Sequence, residues 1–322
     1  MHLLVGIQIG DTIGGIMGPP IAFLGAGLTF LAFWIQYRAN QLQRSQFRIS
    51  LRQQEDQLEE QQRIWEVERF ESRFYDLLKN HKENVTEMNL APDVIGKVSF
   101  QALFYEMRHV YNVIIDVKKS HPMIDAQQPA ERLNAMLMAY NIFYYGIGPN
   151  SEKAYIGDFS SLEKSMFIRV KGILQNWQKS YQTIGKLRES AAEELRAKWP
   201  IHYHYYPYDG HSNLLGNYYR QLYQTVTYVQ TRTFLDHNQK YDYLRFLRAQ
   251  LTTFEQLMLF YNGTTWFPDK WKIYFTDFRL IKNIPLELAD LGTKPEQLYK
   301  PEIEKLWKEK QIKMFEGQSI IA

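Results

Sequence analysis

The chain has 322 residues, 45% of them hydrophobic and 23% charged, enough for one large or two small domains with a sizeable core. It contains no cysteine, which excludes disulfides, thiolate nucleophiles and cysteine-based zinc sites. A net charge of +3 does not by itself argue for nucleic acid, and a mean hydropathy of −0.41 excludes a polytopic membrane protein.

The first element is an uncharged run from Thr12 to Tyr37. It is mostly apolar (Ile13, Ile16, Ile21, Phe23, Leu24, Leu28, Phe30, Leu31, Phe33, Trp34) and long enough to cross a hydrocarbon core of about 30 Å. Arg38, Arg44, Arg48 and Arg52 follow it, whereas the N-terminal flank offers only His2 and Asp11. That asymmetry predicts a single span with the N-terminus outside and the large domain in the cytoplasm, at the inner membrane. The basic n-region of a signal peptide is missing and the run is too long, so an uncleaved anchor is expected.

Gly10, Gly14, Gly18, Ala22 and Ala26 recur at every fourth residue and form one small-residue stripe on a helix. Such stripes let two membrane helices approach closely, so the sequence predicts self-association; Gly and Ala are also simply common in spans. At Pro19-Pro20 either the helix kinks or it begins, the latter leaving Ile21–Tyr37 as the spanning part. Residues 1–37 are thus read as the membrane segment and residues 38–69 as a polar, glutamine-rich helical stalk. No Pro or Gly follows Tyr37 until Pro92, so helix can continue. Leu51, Leu58 and Trp65 make a poor heptad, and Arg44, Arg48 and Arg52 form a like-charged row that suits anionic lipid.

Residues 70–295 read as an all-α cytoplasmic domain and residues 296–322 as a closing helix and tail. Phe70, Phe74, Leu77 and Leu78 share a face; Asn89–Gly96 is a loop around Pro92; further helices are predicted over Phe100–Ile114, Ala130–Tyr145, Leu162–Tyr181, Leu187–Lys198, Leu214–Val229 and Tyr241–Tyr261. Asn262-Gly263 reads as a C-terminal cap of the last of these. His202, His204 and His211 lie among tyrosines between Trp199 and His211, but carboxylates at ligand spacing are lacking, so no metal and no cofactor is assigned. Arg248 and Glu255, seven apart on one predicted helix, read as a polar clamp between helices, paired with each other or with a Tyr or Asn of a neighbouring helix, or, with His211 and Arg220, as a ligand or switch site.

Three stretches, Gly210–Val229, Lys240–Asn262 and Phe278–Leu288, carry a pattern of Gly-His, then Tyr-x-Arg, then Arg-x-x-Leu-x-x-x-Glu, then Tyr-Asn. Here these are Gly210-His211, Tyr218 or Tyr219 with Arg220, Arg248 to Glu255, and Tyr261-Asn262. The pattern resembles the phage abortive infection protein family (AbiC-like), whose members also tend to carry an N-terminal membrane helix. Tyr219 stands where Phe is the commoner residue. The resemblance implies antiviral defence in which the infected cell is stopped or killed. It names His211, Tyr219, Arg220, Arg248, Glu255 and Asn262 as motif residues without giving them a chemical mechanism.

Three mechanisms are compatible with these residues. One is a membrane effector whose homo-oligomers, built on the glycine stripe, perturb the bilayer. Another is a HEPN-like ribonuclease using Arg232 to hold phosphate and His237 as acid or base, on an Arg-x4-His spacing that occurs often by chance. The third is a tethered sensor or scaffold that recruits another effector. A partner defence protein or a nucleic-acid-containing complex remains open as the interacting species, and direct nucleic-acid binding is not predicted. No Walker loop, Rossmann fingerprint, nucleophile elbow or HExxH is present, so an enzyme is the less favoured class.

Overall fold

The computed structural model describes residues 2–120, 134–184 and 205–319, with side chains for all of these except residues 2–14 and 182–184. The chain divides into two compact units, residues 1–72 and 73–322.

The first unit is helical throughout its described residues. It is the N-terminal part of α1 (His2–Glu87), which runs on through Pro19 and Pro20 rather than beginning at them. Proline at these positions removes two backbone donors, so the Gly15 and Ile16 carbonyls have no N–H four residues on to accept from. The apolar side chains between residues 15 and 37 are exposed, with Phe23 at 81% and Phe30 at 74%. A core helix of a soluble protein would be covered; this one is long and apolar enough to cross a membrane and is bare. A Cβ built on Gly15, Gly18, Gly25 or Gly27 meets nothing within 4 Å. Beyond Tyr37 the side chains of Leu51, Leu58 and Trp65 are exposed as well.

The second unit opens with the last turns of α1, where Phe74, Leu77, His81 and Val85 repeat at helical spacing and are buried. Residues 89–96, expected to be a loop, instead form a small antiparallel hairpin of β1 (Asn89–Ala91) and β2 (Val94–Ile95), turned at Pro92-Asp93. Proline at the turn sets φ and costs the ladder no donor, which is why the short pairing forms there. Apart from this hairpin the described fold is all-α, as the periodicity predicts. The helices are α2 (Lys97–Lys119), α3 (Ala135–Tyr145), α4 (Ser161–Ile184), α5 (Ser212–Gln230), α6 (His237–Gln250), α7 (Thr253–Trp266), α8 (Pro268–Thr276), α9 (Pro295–Leu298) and α10 (Lys300–Lys310). Residues 130–133 of the expected third helix and the expected helix Leu187–Lys198 lie outside the described residues.

α2 holds the centre, packed against α3, α4 and α7. Its buried stripe is Phe100, Leu103, Phe104, Met107, Val110 and Ile114. α7 is buried on nearly every side from Glu255 to Gly263 and packs against α2, α3 and α8.

Two expectations about this region are corrected. The single helix expected over Tyr241–Tyr261 is two, because the chain leaves helix at Leu251-Thr252 and restarts with a capping box. Thr252 Oγ1 accepts from Glu255 N at 3.2 Å, and Glu255 Oε2 accepts from Thr252 N at 2.8 Å, an arrangement worth about 1 kcal/mol. Likewise Asn262-Gly263 does not end its helix, which continues to Trp266. Glycine stands at 263 for space: a Cβ there would lie 2.6 Å from the Phe275 ring of α8.

Candidate functional site

Two carboxylates in the second unit are wholly buried, and each meets a buried histidine from another element. The first is Glu106 on the core face of α2. His211, immediately before α5, brings its Nε2 to 3.0 Å from Glu106 Oε1, and the backbone N–H of Tyr208 donates to the same oxygen at 2.9 Å. The loop is held in place by the end of α3. His211 N donates to Tyr144 O at 2.8 Å, and Ile147 N donates to Tyr208 O at 3.1 Å. That clasp needs two glycines. Gly146 and Gly210 have φ of +85° and +92°, and a Cβ on Gly210 would lie 2.5 Å from the Tyr145 carbonyl.

One turn further along α2, His109 Nδ1 lies 2.5 Å from the Tyr208 hydroxyl, and its ring meets Trp177 edge-on at 4.9 Å. Burial pulls the His109 pKa down to about 4, with Glu106 opposing. Kept neutral in this way, the ring shares a hydrogen bond with the tyrosine hydroxyl through Nδ1. Burial, reinforced by Glu106, pushes the Tyr205 phenol well above its ordinary value.

The second centre is Glu255, at the first turn of α7. His81 Nε2 of α1 lies 3.5 Å from Glu255 Oε1, and the Tyr218 hydroxyl of α5 donates to that oxygen at 3.3 Å. Burial would raise the Glu255 pKa; hydrogen bonds from His81 and Thr252 outweigh it and hold the carboxyl below its ordinary value. Glu255 is therefore at once the reciprocal cap of α7 and the anion that fixes His81 and Tyr218.

The remaining motif residues have separate partners. Arg248 does not clamp Glu255, because the helix break between them abolishes the shared face; its Nη1 donates to the Arg279 carbonyl at 2.9 Å. Tyr219 donates to Met258 O at 3.2 Å, and Asn262 Nδ2 donates to the Tyr140 hydroxyl at 2.8 Å. Arg220 is exposed on α5 and donates to Asn217. The structure thus assigns His211 and Glu255 to different centres and does not gather His211, Arg220, Arg248 and Glu255 into one set. Arg232 lies over the Tyr228 ring at 4.2 Å with its Nε donating to Tyr228 O, while His237 is exposed beside Phe278 at 5.3 Å between ring centroids. His202 and His204 lie outside the described residues, and of Gly10 and Gly14 only the helical backbone is described.

Three residues of these centres, His81, Glu106 and His109, were not singled out from the sequence. The signal was present. His81 follows Phe70, Phe74 and Leu77 on one apolar stripe, and Glu106 stands at i+3 from Leu103. A charged or titratable group on a buried face requires a partner.

No curated protein and no solved structure matches the chain. The matching family is one that contains every motif residue just placed, from the Gly210-His211 clasp to Glu255 and Asn262. Residues 210–288 match the family model described as "Putative phage abortive infection protein".

Proposed function

We propose that the protein is a membrane-anchored effector of abortive infection which self-associates and perturbs the inner membrane when activated. The family match over residues 210–288 supports a role in phage defence. The observation that carries the membrane reading is the bare apolar surface of α1 between residues 15 and 37. The arginines at 38, 44, 48 and 52 favour an orientation with the second unit in the cytoplasm and contact with anionic lipid.

The chemistry of the span fits an active role. The stripe of Gly10, Gly14, Gly18, Ala22 and Ala26 permits close packing of copies. Pro19 and Pro20 leave the Gly15 and Ile16 carbonyls without helical donors, which is costly in hydrocarbon and is relieved by water or a neighbouring helix. An assembly that lines these carbonyls inward lowers the cost of water in the bilayer. The buried centres of the second unit read as fold-defining contacts. Within them His211 faces Glu106, and Glu255 faces His81 and Tyr218.

Removal of residues 1–36 tests the reading. The truncated chain, checked for folding by circular dichroism, is expected to lose phage protection. Undiminished protection by the soluble chain would overturn the membrane role and favour a nuclease or scaffold.

A further inference from the structure

His81 is 2% exposed, yet its Nδ1 has no hydrogen-bond partner among the described residues. Its other nitrogen faces Glu255. The ring lines a cavity of about 230 Å³ inside the second unit, whose other walls include Glu255, Gln250, Gly96, Lys82 and Lys97.

Gly96 and Lys97 are the N-cap and first residue of α2, a helix of 23 residues. The cap has no side chain to offer and makes no side-chain capping bond, and the first turn holds no acidic residue. The hydroxyl of Ser99, in the first turn, donates instead to Val94 O at 3.1 Å. At this helix start the Gly96 N–H donates to Met88 O and the Ser99 N–H to Gly96 O, which leaves those of Lys97 and Val98 at the positive end of the helix dipole. Lys82 and Lys97 are exposed at the mouth, and neither forms an ion pair among the described residues. The one carboxylate in the wall is already committed. Glu255 Oε2 accepts from Thr252 N, and Oε1 accepts from Tyr218 and faces His81.

We propose that this cavity is a binding site for the phosphate group of a small molecule, held by the N-terminus of α2, by His81 Nδ1 as a buried donor, and by Lys82 and Lys97 at the entrance. Glu255 is the positioning residue: its Oε1 faces His81 Nε2 at 3.5 Å, which leaves Nδ1 to face the ligand. A ligand seated there touches α1, α2 and the α6–α7 junction at once, and so joins three parts of the second unit. The site stands independently of the membrane reading.

Calorimetric titration of the full-length protein in detergent tests it, with three probes: inorganic phosphate, adenosine 5′-monophosphate and glycerophosphocholine. Saturable binding of at least one is expected, with Kd raised about tenfold or more by Lys82→Ala combined with Lys97→Ala. Both lysines are exposed, so this variant keeps its fold, which the ligand-free melting temperature checks. His81→Gln is expected to weaken binding similarly. A preference for phosphate or the nucleotide identifies a free phosphorylated metabolite, and a preference for glycerophosphocholine identifies a lipid headgroup. No saturable binding of any probe, or an unchanged Kd in the double-lysine variant, overturns the proposal.

Discussion

Gly146 and Gly210 meet backbone to backbone: a Cβ on Gly146 would lie 2.5 Å from the Asp209 carbonyl oxygen, and one on Gly210 would lie 2.5 Å from the Tyr145 carbonyl. This contact gives the Gly210-His211 pair, at the start of the matched segment, a physical meaning. Gly210 lets the chain press against the end of α3, and only then does the next residue, His211, reach Glu106. Gly210→Ala is expected to destabilise the protein by about 2–4 kcal/mol, from the left-handed φ and the overlap together. Gly172→Ala, with nothing within 4 Å of its Cβ and a helical position on α4, is the control and is expected to be neutral or slightly stabilising. Denaturant unfolding of both variants checks the difference.

Glu255 serves two roles that substitution separates. Glu255→Ala removes the reciprocal cap of α7 and leaves His81 and Tyr218 without their acceptor, so a loss of about 3–5 kcal/mol is expected. Glu255→Gln keeps an acceptor for Thr252 N and is expected to cost markedly less. Equal losses in the two variants, measured by unfolding, would show that the cap contributes nothing.

Acid is expected to destabilise the second unit in two stages. His109 is held neutral with a pKa near 4 against an ordinary 6.5, so the unfolded chain binds the extra proton between these values. Stability from this group is therefore full above pH 6.5 and falls as pH drops towards 4, by up to about 3 kcal/mol. Glu255, with its pKa lowered from 4.5, adds a further loss below that value. Unfolding followed against pH checks this, and His109→Gln is expected to flatten the upper stage. A wild-type curve flat from pH 7 to 5 would contradict the burial assigned to His109.

Arg232 and His237 are occupied by Tyr228 and Phe278 in the structure. His237→Ala is accordingly expected to change stability by less than about 0.5 kcal/mol and to leave phage protection intact. Loss of protection with RNA left uncut in the variant alone would restore the ribonuclease reading.

Much of the fold was legible because its signals are local and periodic. The uncharged run, the breaker-free stretch of α1 after Tyr37 and the apolar stripe of α2 each follow from spacing alone. What was lost depended on contacts between distant residues. Leu251-Thr252 breaks a strongly helical pattern because Thr252 and Glu255 offer the backbone a better start, and a window of apolar residues does not register that. Gly263 read as a cap because glycine serves both freedom and space, and only the Phe275 ring decides between them. Of the partners open to Arg248 and Glu255, the helix break removes each for the other, and Glu255 takes a tyrosine of a neighbouring helix, Tyr218. The true partners, His81 and Glu106, sat visibly on apolar faces, but which histidine meets which carboxylate is set by how α1, α2, α5 and α7 pack.

The central claim is that the glycine- and proline-bearing span acts on the membrane rather than only tethering the second unit. Membrane potential, followed with a voltage-sensitive dye in infected cells, tests it most directly. Cells carrying the protein are expected to depolarise before lysis. Gly14→Leu combined with Gly18→Leu is expected to abolish that depolarisation and the protection, with membrane insertion of the span confirmed by fractionation. Protection that persists in the inserted variant, or arises with the membrane potential intact, would contradict the account.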